Sequence, residues 1–143
     1  MPLVGELSEQ QKNVYNAQSG ITFRNFDTYD EVQAWVDSLT ASDWWTNAGY
    51  DFIVRIEVEK STTHKCSYAV NRQDDNYGII ALTEDSKNAC VILHEVAHCI
   101  VPDRYGHGEQ WVRIFLNLVY FALGSDEYLT LYKAFKSHNV EMG

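Results

Sequence analysis

Apolar residues recur along this chain in two periods, and the periods change from block to block. Ser8 to Gln18 is polar and helix-compatible, ending near Gly20. Ile21, Phe23 and Phe26 suggest a short strand. From Tyr29 to Leu39 the apolar residues Val32, Trp35, Val36 and Leu39 return on one helical face. Ser42 to Asp51 is rich in aromatics but without period, and reads as a loop. Phe52, Val54, Ile56 and Val58 then alternate with Ile53, Arg55, Glu57 and Glu59, the pattern of a half-buried strand. Lys65 to Asn71 and Tyr77 to Leu82 read as two further strands, with the hydrophilic run Arg72 to Asn76 turning between them.

The second half is helical. Lys87 to Ile100 carries a broad apolar face of Ala89, Val91, Ile92, Leu93, Val96, Ala97 and Ile100. Ser86 or Thr83 can cap its start, and Pro102 stops it. Glu109 to Leu123 is a helical run, apolar nearly all round from Trp111, which predicts burial beneath the preceding helix; Gly124 ends it. Asp126 to Ser137 closes the chain as an amphipathic helix, acidic first and with Lys133, Lys136 and His138 near its end, as the helix dipole favours. Helices flanking a small mixed sheet make an α+β domain. No repeat or Pro/Gly/Ser-rich linker interrupts it, so residues 1–143 read as a single domain.

The chemistry concentrates in His94-Glu95-Val96-Ala97-His98. Residues four apart on a helix share a face, so His94 and His98 can grip one metal ion. Glu95 lies about 100° further round, where its carboxylate reaches a water beside the metal without being a ligand. This is the HExxH pattern of metallohydrolases. Nine residues on, His107 stands between Gly106 and Gly108, which allow a tight turn and close approach to the ion. A third imidazole leaves the fourth zinc position open, as catalysis requires. Three polar residues on an ordinary helix surface are the plain alternative. Glu109 is a rival third ligand, and Glu109 or Asp103 can instead orient a ligand histidine. Cys99, next to His98, is better read as a small apolar helix residue than as a ligand. His64 and His138 have no partner pattern and read as surface residues.

The net charge of −9 argues against a nucleic-acid surface and against anionic membranes. The run Pro2 to Glu6 turns polar at once, unlike a secretory signal, and no stretch is apolar enough to span a bilayer. Cys66, Cys90 and Cys99 are an odd set without CxxC spacing, which suits reduced thiols and a cytoplasmic location.

The HExxH helix, a short loop and then His107-Gly108-Glu109-Gln110-Trp111 resemble the SprT-like zincin metallopeptidases. The chain is more similar still to a small family of HExxH metallohydrolases from actinobacteria and their phages. That resemblance rests on the glutamine-rich segment Gln10 to Ala17, with its Val-Tyr-x-Ala motif, on Leu93 to His98, and on the aromatic-rich C-terminal helical pair. It implies a zincin-like fold, a sheet packed on the HExxH helix, and His107 as third zinc ligand in preference to Glu109. It also fits the cytoplasm of a bacterium or a phage-infected cell.

Zinc held by three neutral imidazoles favours amide hydrolysis, with Glu95 as general base. Tyr105 and Tyr77 are candidates for a hydrogen-bond donor to the developing oxyanion. In zincin-like folds the strand before the metal helix often forms a sheet edge along the cleft; here that is Gly78 to Leu82, where a peptide substrate can add as a strand. A peptide or protein substrate is therefore expected. A non-catalytic, metal-stabilised interaction domain is the alternative. A DNA-linked protease ranks lower, since the chain has no zinc-ribbon cysteines or basic tail.

Overall fold

The computed structural model describes residues 8–61, 68–72, 76–101 and 107–142. The chain is mixed α+β and mostly helical. In order it contains α1 (Glu9–Gln18), α2 (Tyr29–Thr40), α3 (Asp43–Asn47), β1 (Arg55–Lys60), β2 (Tyr68–Arg72), β3 (Tyr77–Leu82), α4 (Ala89–Ile100), α5 (Glu109–Leu123) and α6 (Ser125–Ser137). These fall into two compact units: one contains residues 22–102, the other the two chain ends, 1–21 and 103–143.

In the first unit the strand order is β1-β3-β2, with β1 parallel and β2 antiparallel to β3. β3 is therefore the central strand, bonded on both sides, and not the sheet edge expected of Gly78 to Leu82. The β1 edge is plugged by Gln33 of α2. Its amide donates to the Ile56 carbonyl at 2.9 Å and accepts from the Val58 N–H at 2.8 Å. One side chain thus stands in for a neighbouring strand, which blunts an otherwise open edge. α4 packs on β2 and β3, and α2 on β1.

The strand expected at 21–26 is absent; only an isolated bridge between Asn25 and Asn88 forms there. Phe23 has φ 64°, which strand geometry excludes, and the carbonyls of Thr22 and Arg24 serve the start of α4 instead. The aromatic loop at 42–51 holds the short helix α3, because the Ser42 side chain accepts from the Trp45 N–H and caps it. β1 begins at Arg55, later than the alternation suggested. Ile53 is buried ahead of it, Ile56 is the first inward residue within it, and Val54 is 72% exposed.

The second unit is helical. Ser8 caps α1 with a reciprocal capping box to Gln11, as such sequences favour. α6 packs on α1 and α5. Val14, Trp111, Phe115, Leu118, Leu131 and Phe135 are fully buried. α5 is amphipathic rather than apolar all round: Arg113, Asn117 and Tyr120 fall at i, i+4 and i+7 and form an exposed stripe. Gly124 takes φ 112°, which ends α5 and lets α6 start at the next residue. Among the described residues no helix is long and apolar enough to cross a membrane.

Candidate metal centre

α4 carries the HExxH pattern, and its start is fixed in detail. The expected caps do not form it: Thr83 and Ser86 bond to each other across a 3-10 turn at 2.7 Å. Asn88 is the cap, its side chain accepting from the Val91 N–H at 3.0 Å. The Ala89 N–H donates to Arg24 O at 2.8 Å, and the Cys90 N–H to Thr22 O at 3.2 Å. The N–H groups that every helix leaves open at its start are thereby satisfied. Ile92, Leu93, Val96 and Ala97 are fully buried and set the rotation of the helix about its axis.

That rotation puts His94 and His98 together. Their Nε2 atoms are 3.3 Å apart. Two nitrogens, each about 2.0–2.1 Å from a tetrahedral zinc ion, would stand about 3.3–3.4 Å apart. The helix pair already has the spacing such an ion needs. His94 is 4% exposed and His107 2%, whereas His98 is partly exposed. Ligand-capable atoms of His94, His98 and His107 all lie within 4.8 Å of one another. Three imidazoles this close can hold a metal ion, and neutral nitrogen donors suit zinc, copper, iron or nickel.

Glu95 is 5% exposed, and burial pushes its carboxyl up to about 8. A cation beside it would oppose that shift. Cys99 faces the sheet: a Cβ built on Gly78 would lie 3.0 Å from its Sγ. Burial, and then the Glu95 charge, push its thiol up to about 12, so it is no ready thiolate. The reading of Cys99 as a packing residue fits this geometry.

His107 is held by different means. Its main-chain carbonyl accepts from Gln10 Nε2 of α1 at 2.8 Å. Its ring meets the Trp111 ring at 4.3 Å between centroids and the Tyr15 ring at 5.1 Å, edge on. Gly108 then caps α5. Glu109, the rival third ligand, is an exposed first-turn residue of α5 and lies outside the three-histidine group. Tyr77 is the first residue of β3, in register with Arg55 and Arg72. His138 is exposed at the end of α6, its Nδ1 2.9 Å from Ala134 O. Tyr105, Asp103, Gly106, Pro102, His64 and Cys66 lie outside the described residues.

Sequence reasoning did not single out Gln10 and Tyr15 as residues around His107. They are 97 and 92 positions away from it, and no local spacing links them. The signal available was the Gln10 to Ala17 segment itself, a motif with no apolar period to explain it. No protein-family model, curated protein or solved structure matches the chain.

Proposed function

We propose that this chain is a zinc-dependent hydrolase of zincin-like architecture that cleaves amide bonds in peptides or proteins. The observation that carries the reading is the 3.3 Å approach of the His94 and His98 Nε2 atoms, with the His107 donor atom close by and Glu95 on the same helix. The resemblance of the HExxH and His107-Gly108 elements to SprT-like metallopeptidases points the same way.

His94, His98 and His107 would hold the ion. When bound, zinc supplies Lewis acidity, bringing the pKa of a water toward about 7 and polarising a carbonyl. Glu95 takes the proton as water attacks the amide carbon, holds it on its carboxylate, and delivers it to the leaving nitrogen. β3 is internal and Gln33 plugs β1, so among the described residues β2 is the remaining edge strand at which an extended substrate could add.

Metal analysis of purified protein, followed by a Glu95→Gln comparison, tests the proposal. About one zinc per chain is expected. Glu95→Gln keeps the metal and lowers peptide hydrolysis by about 10²–10⁴-fold, the usual contribution of a general base. Unchanged turnover in that variant would remove Glu95 from the mechanism.

A second reading is favoured by one observation: His94, Glu95 and His107 are each no more than 5% exposed. Such burial also suits a metal that stabilises an interaction domain without catalysis. Stoichiometric zinc without hydrolysis of a broad peptide library by the wild type would select that reading.

A further inference from the structure

Gln10 is a polar residue in the first turn of a polar helix, yet its side-chain amide is bonded throughout to distant main chain. Nε2 donates to His107 O at 2.8 Å and to Glu141 O at 3.0 Å. Oε1 accepts from the Glu141 N–H at 2.9 Å. Both amide hydrogens are committed, and the amide pairs with Glu141 as a neighbouring strand would. The capping box at Ser8 and Gln11 fixes the turn from which Gln10 projects. Tyr15, further along α1, lays its ring against the His107 imidazole, with Trp111 also in contact. α1 therefore grips His107 at two places, its carbonyl and its ring.

We propose that Gln10 is a positioning residue for the metal centre: its amide clamps the His107 main chain to α1 and the C-terminal segment, and so presents the His107 imidazole. The inference rests on the metal reading above. The physical need is clear. His94 and His98 are oriented by one helix, whereas His107 precedes its helix and has no helical frame of its own. A ligand without such a frame must be ordered when the ion binds, and that ordering lowers affinity. A carbonyl fixed by hydrogen bonding holds the peptide plane, and with it the direction of the Cα–Cβ bond. Groups that orient metal ligands from outside the coordination sphere typically change metal affinity by about 10- to 100-fold.

The test measures zinc affinity by chelator competition and the visible spectrum of the cobalt(II) form, which reports ligand number and geometry. Five variants are compared in the full chain: Gln10→Ala, Gln10→Glu, Asn13→Ala, His107→Ala, and Gln10→Ala combined with His107→Ala. Asn13 is the control. It ties α1 to the same C-terminal segment, through Asn139 O at 3.5 Å, but makes that bond without involving His107. Gln10→Glu keeps an acceptor for the Glu141 N–H and loses both donors, so it separates the clamp from docking of the chain end.

Both Gln10 variants should bind zinc about 10- to 100-fold more weakly and alter the cobalt spectrum, with helical circular dichroism unchanged and Asn13→Ala like wild type. The double variant should bind no more weakly than His107→Ala alone, because Gln10 acts through that histidine. Wild-type zinc affinity in a folded Gln10 variant overturns the clamp and leaves the metal centre standing. An equal loss in Asn13→Ala, or an additional loss in the double variant, also overturns it. Absence of zinc binding by the wild type overturns the metal centre itself.

Discussion

The two halves of the histidine cluster are held in contrasting ways. His94 and His98 take their relation from one helix: four residues of α4 set their spacing, a cap and two carbonyls fix its start, and buried aliphatic residues fix its rotation. His107 takes its place from contacts that reach across the chain, to Gln10, to Tyr15, and by way of Gln10 to Glu141. The first half is preorganised by local geometry and should survive loss of any one distant contact. The second depends on a few side chains, and its order should be more easily lost. Each experiment below separates the halves or probes what supports one of them.

The largest effect is expected from the ligands themselves. His94→Ala and His98→Ala should abolish stoichiometric zinc binding, because either leaves the helix with a single imidazole. His107→Ala should weaken binding strongly but leave a residual site at the preset helix pair. Calorimetric titration of the three variants checks the asymmetry. Equal abolition by all three would mean that the helix pair is not a site in its own right. Full binding by His107→Ala with loss in Glu109→Ala would transfer the third ligand to Glu109.

Next in size is the acid–base behaviour of the helix half. Burial raises the Glu95 carboxyl from 4.5 to about 8 in the metal-free protein. The folded state then binds a proton that the unfolded state has already released. Between about pH 4.5 and 8 the folded form is therefore progressively disfavoured as pH rises; below that window both states are protonated, and above it the cost is constant. At pH 7 the linkage reaches at most about 3 kcal/mol. Denaturant unfolding of the metal-free protein from pH 4 to 9 should show this falling slope, and Glu95→Gln should flatten it. A slope retained in the variant would assign it to another group.

A smaller effect tests how α4 rests on the sheet. Gly78 of β3 leaves room for Cys99: a Cβ there would come within 3.0 Å of Sγ and 3.3 Å of the Cys99 Cβ. Gly78→Ala should destabilise by about 1–3 kcal/mol, the range for overpacking a tight core. Adding Cys99→Ala should recover part of that loss, as contacting residues couple non-additively. Strict additivity in thermal unfolding would show that the helix–strand contact yields elsewhere.

What was legible in the sequence follows the same division. The HExxH helix, the central strand at Tyr77 to Leu82 and the helix from Glu109 came through because period and spacing are local properties. The errors lie where a residue's role is set by the partner it finds rather than by its own type or period. Ile21 to Phe26 looks like a strand by its apolar residues, but its carbonyls are taken by the α4 start and Phe23 turns to positive φ. Gly78 to Leu82 reads correctly as a strand, but strand order is not written in its pattern, and it proved central rather than an edge. Ser86 and Thr83 are good capping residues by type, yet each satisfies the other, leaving the cap to Asn88. For the site, the spacing of His94, Glu95 and His98 was readable from the helix repeat alone. The support of His107 by Gln10 and Tyr15 was not, since it depends on tertiary packing within the unit that joins the chain ends.

The smallest predicted effect asks whether the two ends of α4 are independent. Asn88 caps the helix, is 5% exposed, and sits six residues before His94. Asn88→Ala leaves the Val91 N–H without its side-chain acceptor and should cost about 1 kcal/mol, toward 2 because the site is buried. The loss is confined to the first turn. The Ala89 and Cys90 N–H groups keep the Arg24 and Thr22 carbonyls, and the buried contacts of Ile92, Leu93 and Val96 still set the helix rotation. The His94–His98 spacing should therefore be unchanged, and zinc affinity with it. Chemical unfolding and zinc competition on the same sample measure both quantities together. Reduced stability at constant affinity would confirm that local helix geometry, once formed, suffices for this half of the centre. A fall in affinity that tracks stability would place the start of α4 among the supports of the site, and would make the helix half as dependent on distant contacts as the His107 half.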